Sequence, residues 1–210
     1  LKIFTTLGCG SFGRVRLVQH KQSGKPYALK ALKKVMVSQM KQEKSIMNEK
    51  RALSEVDHPF CLRLLATYKD PAHLYMLLEI VLGGELFSVN ANMGPLTEAH
   101  AKFYVAQVVL AFEHMHRKGW VYRDLKPENI LIDEFGYAKV VDLGFAKRLS
   151  KSVNITAANP GPMVGDQTYT LCGTPDYLAP EVISCKGHSF GVDWWGVGIL
   201  IYELIYGQPP

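Results

Sequence analysis

The sequence predicts an α+β fold of two lobes, a small antiparallel-sheet lobe with one major helix over residues 1–80 and a mainly helical large lobe over residues 81–210. Three observations carry that expectation. Short runs of period-two alternation fill most of the first eighty positions, helical spacing interrupts them once, and beyond Gly83-Gly84 the strand signal gives way to a long amphipathic pattern. Such lobes leave a cleft near residues 79–85.

Taken in order, residues 2–32 read as strand, Gly-rich turn, strand, loop, strand: "RVRLVQ" alternates, and "PYALKAL" comes after the turn "KQSGK". Residues 40–56 read as a helix with Ile46, Met47 and Leu53 near one face. "CLRLLATYKD" and "HLYMLLEI" are two strands joined around Asp70-Pro71. Residues 97–118 form the long helix, with Tyr104, Val105, Val108, Phe112 and Met115 at helical spacing, Thr97 as N-cap and Gly119 as stop. A short β region around residues 121–147 comes next, then a polar segment over residues 150–170, then a last apolar helix.

Composition limits the function classes. With 48% apolar and 20% charged residues among 210, the chain is neither disordered nor fibrous. A net charge of +5 is spread out rather than blocked, which favours anions in general and not nucleic acid. Cys9, Cys61, Cys172 and Cys185 are far apart with no CxxC pair, so neither a zinc site nor a disulfide framework is expected; a reducing, cytoplasmic setting fits. The first residues lack a signal-peptide pattern, and "GVGILIYELIYG" carries Glu203 and falls short of the roughly 20 residues of a membrane span. Asn154-Ile155-Thr156 is read as a chance match to a glycosylation acceptor. The chain opens on a strand and stops just after a helix, which reads as a fragment cut at both ends.

Three stretches carry chemistry. "GCGSFGRV" sets Gly8, Gly10 and Gly13 in G-x-G-x-x-G spacing, which alone fits a flexible turn, a dinucleotide-binding turn or a phosphate-covering hairpin. The strand reading of residues 14–19 and the basic region near Lys33 favour the hairpin. Lys30 interrupts an apolar strand and needs an anion if buried, either Glu49 or a nucleotide phosphate, unless it reaches solvent. "VYRDLKPENILIDEFGYAKVVDLGFAK" gathers Asp124, Lys126 and Asn129 within six positions and then presents Asp142.

With "YRDLKPEN", "VVDLGFAK" and "GTPDYLAPE" in this order, the chain resembles eukaryotic protein kinases over essentially its whole length. Tyr122 in place of the usual His, "TLCGTPDYLAPE" and "VDWWGVGILIYE" resemble the AGC group, nearest the cyclic-nucleotide-dependent (cAMP- and cGMP-dependent) kinases.

The resemblance implies an ATP- and Mg²⁺-dependent serine/threonine kinase. Asp124 would orient the substrate hydroxyl and take its proton, Lys126 would contact the γ-phosphate, and Asn129 and Asp142 would hold Mg²⁺. Lys30, paired with Glu49, would hold the α- and β-phosphates beneath Gly8, Gly10 and Gly13. Adenine would lie between Val15 and Ala28 above and Leu131 below, with Leu78 as gatekeeper, hinge hydrogen bonds from residues 79–81 (Glu79 to Val81), and Glu85 also at the nucleotide site. Asp193 would brace the catalytic loop, although an acid at a helix N-terminus reads equally well.

The activation segment would run over residues 142–181, with Thr170 as its phosphosite and Arg123 and Lys147 as the receiving pocket, cations that should repel and loosen the segment until phosphate arrives. Glu85, Glu128 and Glu203 would receive arginines preceding the phosphorylated residue, so R-R-x-S/T substrates are expected. A regulatory subunit or cyclic-nucleotide-binding domain would lie outside this chain.

Several positions depart from the family pattern. Leu143 replaces the commoner Phe and should pack on Leu53, Leu64 and Tyr122. Ser45 stands where relatives carry a phosphate-holding His, "SKSVNITAANPGPMVGD" is an insertion, and Glu181 lacks its usual Arg. Lys147-Arg148-Leu149-Ser150 resembles a basic substrate, which makes Ser150 a candidate for trans-autophosphorylation. An inactive kinase-fold scaffold and a small-molecule kinase are the rival readings; the full set Lys30, Glu49, Asp124, Asn129 and Asp142 argues against the first, and the peptide-seating segment against the second.

Overall fold

The structure, a computed structural model, describes residues 1–10, 12–149 and 166–210. The expected insertion and its Ser150 and Asn154 lie outside the described residues, apart from Asp166. A five-stranded antiparallel sheet forms the small lobe from β1 (Lys2–Gly10), β2 (Gly13–Gln19), β3 (Pro26–Lys33), β4 (Leu64–Lys69) and β5 (His73–Leu78), in the order β1-β2-β3-β5-β4. The strand expected in "CLRLLATYKD" begins later than the sequence suggests, because Cys61 leaves the sheet to bridge Val140 of the large lobe.

Between β3 and β4 stand a short helix, α1 (Lys34–Gln39), absent from the sequence reading, and α2 (Glu43–Glu55). The buried face of α2 is Ile46, Glu49, Ala52 and Leu53. Met47 is a correction: it is 57% exposed, because a residue one step from Ile46 turns about 100° away from the face that Ile46 and Glu49 share. Glu49 therefore rides on the packed side of the helix, where a carboxylate requires a partner.

The large lobe holds α3 (Leu86–Met93), α4 (Glu98–Arg117), β6 (Trp120–Val121), β7 (Ile130–Ile132), β8 (Ala138–Val140), β9 (Lys147–Arg148), α5 (Pro180–Ile183) and α6 (Gly191–Tyr206). Thr97 caps α4 by accepting from the His100 N–H (3.3 Å), and Gly119, at φ 80°, turns the chain beyond it as the sequence predicts. Val108, Phe112 and Met115 are buried, and Tyr104 and Val105 pack against them from the edge. Leu143 is 1% exposed in the same core as Leu53 and Tyr122, with Leu64 against it, so the leucine fills the place expected of it. No helix among the described residues is long and apolar enough to cross a membrane.

Candidate active site

The catalytic loop is set by one buried acid. Asp193, near the start of α6, accepts from the backbone N–H groups of Tyr122 (Oδ2, 2.8 Å) and Arg123 (Oδ1, 2.8 Å), and its Oδ2 also meets His116 Nε2 at 2.7 Å. This is the bracing arrangement and not a mere helix-terminal charge. It holds Arg123 at φ 71°, a left-handed conformation that costs a non-glycine residue roughly 1–2 kcal/mol. Tyr122, fully buried, donates its hydroxyl to Val141 O at 2.6 Å and ties the loop to the chain entering Asp142.

Asp124 comes next, at 4% exposure. Its Oδ2 accepts from Asn129 Nδ2 (2.9 Å) and lies 3.7 Å from Lys126 Nζ; its Oδ1 accepts from Thr174 Oγ1 (2.9 Å). Burial raises the Asp124 carboxyl above its ordinary value, against the pull of Lys126 and of the bonds from Thr174 and Asn129. Sequence reasoning misses Thr174 as a site residue, although it lies inside "GTPDYLAPE". Asp142 is also left-handed (φ 53°), exposed, and turned by the Gly144 N–H onto its Oδ1 (3.1 Å); its charge acts on Asp124.

Across the cleft, Lys30 Nζ meets Glu49 Oε1 at 2.5 Å, joining β3 to α2. The reading of Lys30 as inward-facing and Glu49 as its protein partner agrees with this contact. The three glycines differ in what demands them. A Cβ at Gly13 would stand 1.8 Å from Ala31 O, whereas at Gly8 and Gly10 it would meet nothing within 4 Å, so there the chain itself leaves room for something else.

Beneath this hairpin, Ala28 and Leu78 are adjacent and buried, Val15 packs at the core edge, and Leu131 lies in β7. Glu79 uses its carboxylate on the Lys139 ammonium (3.0 Å) and the Arg63 N–H (2.8 Å) and its own N–H on Arg63 O, while its carbonyl oxygen accepts no backbone hydrogen bond among the described residues. Ile80 and Val81 make no backbone hydrogen bond among the described residues. Gly83 and Gly84 clip onto Ile132, and Glu85 bridges Leu131 before α3.

Arg123 and Lys147 do converge, but on Thr168. Lys147 Nζ donates to Thr168 Oγ1 at 2.9 Å and Arg123 Nη1 reaches it at 3.4 Å, while Arg123 Nε and Nη2 both donate to Phe145 O. The exposed Thr170 stands next in line, its Oγ1 3.4 Å from that of Thr168. Without phosphate the two cations are held by a neutral hydroxyl and a carbonyl, which satisfy their hydrogen bonds but do not cancel their charges. Ser45 donates to Gly144 O (3.0 Å), linking α2 to the turn after Asp142.

The three substrate-acid candidates separate. Glu85 and Glu128 are exposed, whereas Glu203 is 7% exposed in α6 and accepts from Tyr177 Oη at 2.5 Å. Burial raises the Glu203 carboxyl, Tyr177 opposes this, and the charges of Glu128 and Asp176 raise it further. Glu128, Asp176 and Glu203 thus form one acidic neighbourhood, their charges acting on one another. Sequence reasoning misses Asp176 too, though it lies in the same "GTPDYLAPE". Glu181 forms no ion pair among the described residues.

Comparison with known proteins places the chain in a family. The family described as protein kinase domain matches residues 1–210. Over 210 residues the chain is 47% identical to human (Homo sapiens) cGMP-dependent protein kinase 2, covering all of this chain and 26% of that protein. It is 49% identical over 205 residues to the human cAMP-dependent protein kinase catalytic subunit PRKX, covering 98% of this chain and 53% of the relative. It is 46% identical over 209 residues to cAMP-dependent protein kinase type 3 of Saccharomyces cerevisiae, covering all of this chain and 49% of that one. The chain thus spans from about a quarter to about half of these relatives' length.

Proposed function

The chain belongs to the protein kinase family, and from that membership we propose that it transfers the γ-phosphate of ATP to Ser or Thr hydroxyls of protein substrates, with Mg²⁺ as cofactor. The observation that carries this reading is the facing pair of constellations: Lys30–Glu49 on the small lobe, and Asp124 with Lys126, Asn129 and Thr174 on the large lobe. In-line transfer needs a positioned nucleophile and positive charge where negative charge spreads.

Asp124 is set to hold a substrate hydroxyl and accept its proton, since Thr174 and Asn129 fix both of its oxygens. Lys126 supplies charge beside it, and Lys30, oriented by Glu49, supplies charge under the glycine hairpin. The donor set fits the metal. Mg²⁺ takes one or two carboxylates together with phosphate oxygens rather than an all-protein cage, and Asp142 offers an exposed carboxylate of that kind. Asn129 and Asp142 are the residues that would hold it; the ion would neutralise phosphate charge. Val15, Ala28, Leu78 and Leu131 would enclose the adenine, with Ile80 and Val81 free to bond its edge.

Substrates with the R-R-x-S/T pattern are expected from Glu128, Glu203 and Asp176, whose mutual repulsion an arriving guanidinium relieves, with Glu85 as a separate acceptor. Phosphate on Thr170 would draw Arg123 and Lys147 from Thr168 and order the peptide-seating surface. A cyclic-nucleotide-sensing domain or regulatory subunit, as the relatives' names suggest, and a cytoplasmic location complete the reading.

The test is phosphorylation of an Arg-Arg-Ala-Ser peptide against an acidic counterpart. The basic peptide should be preferred. Asp124→Asn should lower transfer about 10²–10⁴-fold with Mg²⁺-nucleotide binding retained. Asp142→Asn should weaken the metal-dependent part of that binding as well. Equal turnover of both peptides, or unaltered nucleotide binding in Asp142→Asn, would remove the corresponding assignment.

A further inference from the structure

Side chains alternate across a strand, so the sheet face that carries Val15, Ala28 and Lys30 leaves a second, outward face. Register places Arg14 opposite Ala31 and Arg16 opposite Leu29, and β5 continues these rows with Tyr75 beside Ala31 and Leu77 beside Leu29. A small core of Val18, Leu29 and Leu77 stiffens this face, flanked by Tyr27, Ala66 and Tyr75. Ala31 is the smallest residue in its row. Over it runs an open groove of about 600 Å³, lined by Arg14, Arg16, Lys33 and Tyr75 and reaching Met36 and Ile3.

The groove's charge is one-sided. Arg14, Arg16 and Lys33 form no ion pair among the described residues. The acid nearest its Tyr75 side, Asp70 in the β4–β5 turn, accepts from Tyr75 Oη (2.7 Å) and from the N–H groups of Ala72 (2.8 Å) and His73 (2.6 Å). Those bonds, Tyr75's first, hold the Asp70 carboxyl down to about 2, so it stays ionised but is committed to its own turn. His73 Nδ1 lies 3.7 Å from the same carboxylate.

We propose that this outer face docks an acidic peptide segment of a partner protein, seating an apolar side chain over Ala31 and carboxylates on Arg14, Arg16 and Lys33. An apolar floor inside a cationic rim suits such a peptide. A lone phosphate would leave Ala31 and Tyr75 uncovered, and a flat bilayer surface does not match a concave floor. Arg14, Arg16 and Ala31 lie on the face opposite Lys30, and because Gly10 and Gly13 of the glycine hairpin also line the groove, a docked segment would reach that hairpin from outside.

Fluorescence anisotropy of the chain with a labelled Asp-Glu-Asp-Leu-Glu-Phe-Asp-Glu peptide tests this. Binding should saturate and weaken with added salt. The Arg14→Ser/Arg16→Ser/Lys33→Ser variant should lose roughly tenfold or more in affinity, as fits the removal of charge-assisted hydrogen bonds. Ala31→Ile keeps every cation but fills the groove, and should weaken binding to a similar degree; a thermal melt like the parent's confirms that each variant is folded. A peptide with Ser for Leu and Phe should also bind less well. Parent-like affinity in either variant, or binding of mixed phosphatidylcholine–phosphatidylserine vesicles through these cations without binding of the peptide, overturns the proposal.

Discussion

Asp193 in the large lobe and Lys30 in the small lobe each organise half of the site, yet they are held in opposite ways. The Asp193 side chain is 1% exposed and meets three partners at 2.7–2.8 Å, among side chains such as Phe112 and Tyr122 that are wholly buried. Lys30 has one partner among the described residues, is 24% exposed, and sits beneath a hairpin whose first strand, β1, is exposed at all nine residues. On the proposed roles, the side that would orient the hydroxyl is held by buried bonds, and the side that would cover the phosphates is exposed and lightly held. A kinase gains from that division: the reacting oxygen must be placed closely, while nucleotide has to enter and leave.

The sharpest way to break this comparison is to remove each anchor. Asp193→Ala strands two buried N–H groups and should cost about 3–5 kcal/mol in chemical denaturation, with activity lost in proportion to unfolding and loop disorder. Lys30→Met leaves the buried Glu49 carboxylate without its cation; because the Lys30 end of the pair is 24% exposed and water can reach it, the cost should sit at the low end, about 3 kcal/mol, while transfer still fails. Equal losses of stability in the two variants would show that the small lobe is as tightly held as the large one.

A smaller effect sharpens the comparison at the activation segment. Thr168→Val removes the hydroxyl shared by Lys147 and Arg123 and should cost about 1 kcal/mol, a fall in Tm of about 2–4 °C for a chain of this size. It should also speed proteolysis near Thr170 before phosphorylation and much less after it. If protection is unchanged in the unphosphorylated variant, Thr168 does not hold the segment.

The smallest concerns pH. His58 and His114 lie with ring centroids 5.1 Å apart at a 33° tilt, and His114 Nε2 is buried without a hydrogen-bond partner among the described residues. Burial lowers both imidazoles from 6.5, helped by Arg117 and Lys139 for His58 and by His58, Lys118 and Arg117 for His114, against Asp57. Folded values below the unfolded one mean that their contribution is present above 6.5 and is lost as pH falls through the lowered folded values. Melts between about pH 7.5 and about pH 5.5 should show His114→Phe losing a few degrees less than the parent. An identical pH slope would exclude the pair as the source.

Legibility tracks the range of the signals. Lys30 is readable because a cation inside an apolar strand is a local anomaly, and Thr97 because a cap lies beside its helix. Helix α1 has six residues, no side-chain cap and no acid in its first turn, so nothing in the chain announces it. Met47 is misread because one step of phase decides a helix face. Thr174 on Asp124 and Thr168 on Lys147 are contacts across 50 and 21 positions, set by how the activation segment returns to the loop rather than by spacing. Asp193 has two equal readings in the sequence, and only its bonds to Tyr122 and Arg123 separate them.

The order in which the site is made during synthesis depends on those same bonds. Asp193 closes on Arg123 across 70 positions, and no nearer acid among the described residues does its work. At roughly 5–20 residues per second, translation takes on the order of 4–14 s to cover that interval, during which Asp124 and Asn129 have left the ribosome but the brace has not. Until it arrives, the left-handed turn at Arg123 lacks the carboxylate that takes its N–H and that of Tyr122, so a nascent chain halted before α6 can own a finished small-lobe sheet and an unbraced Asp124 loop.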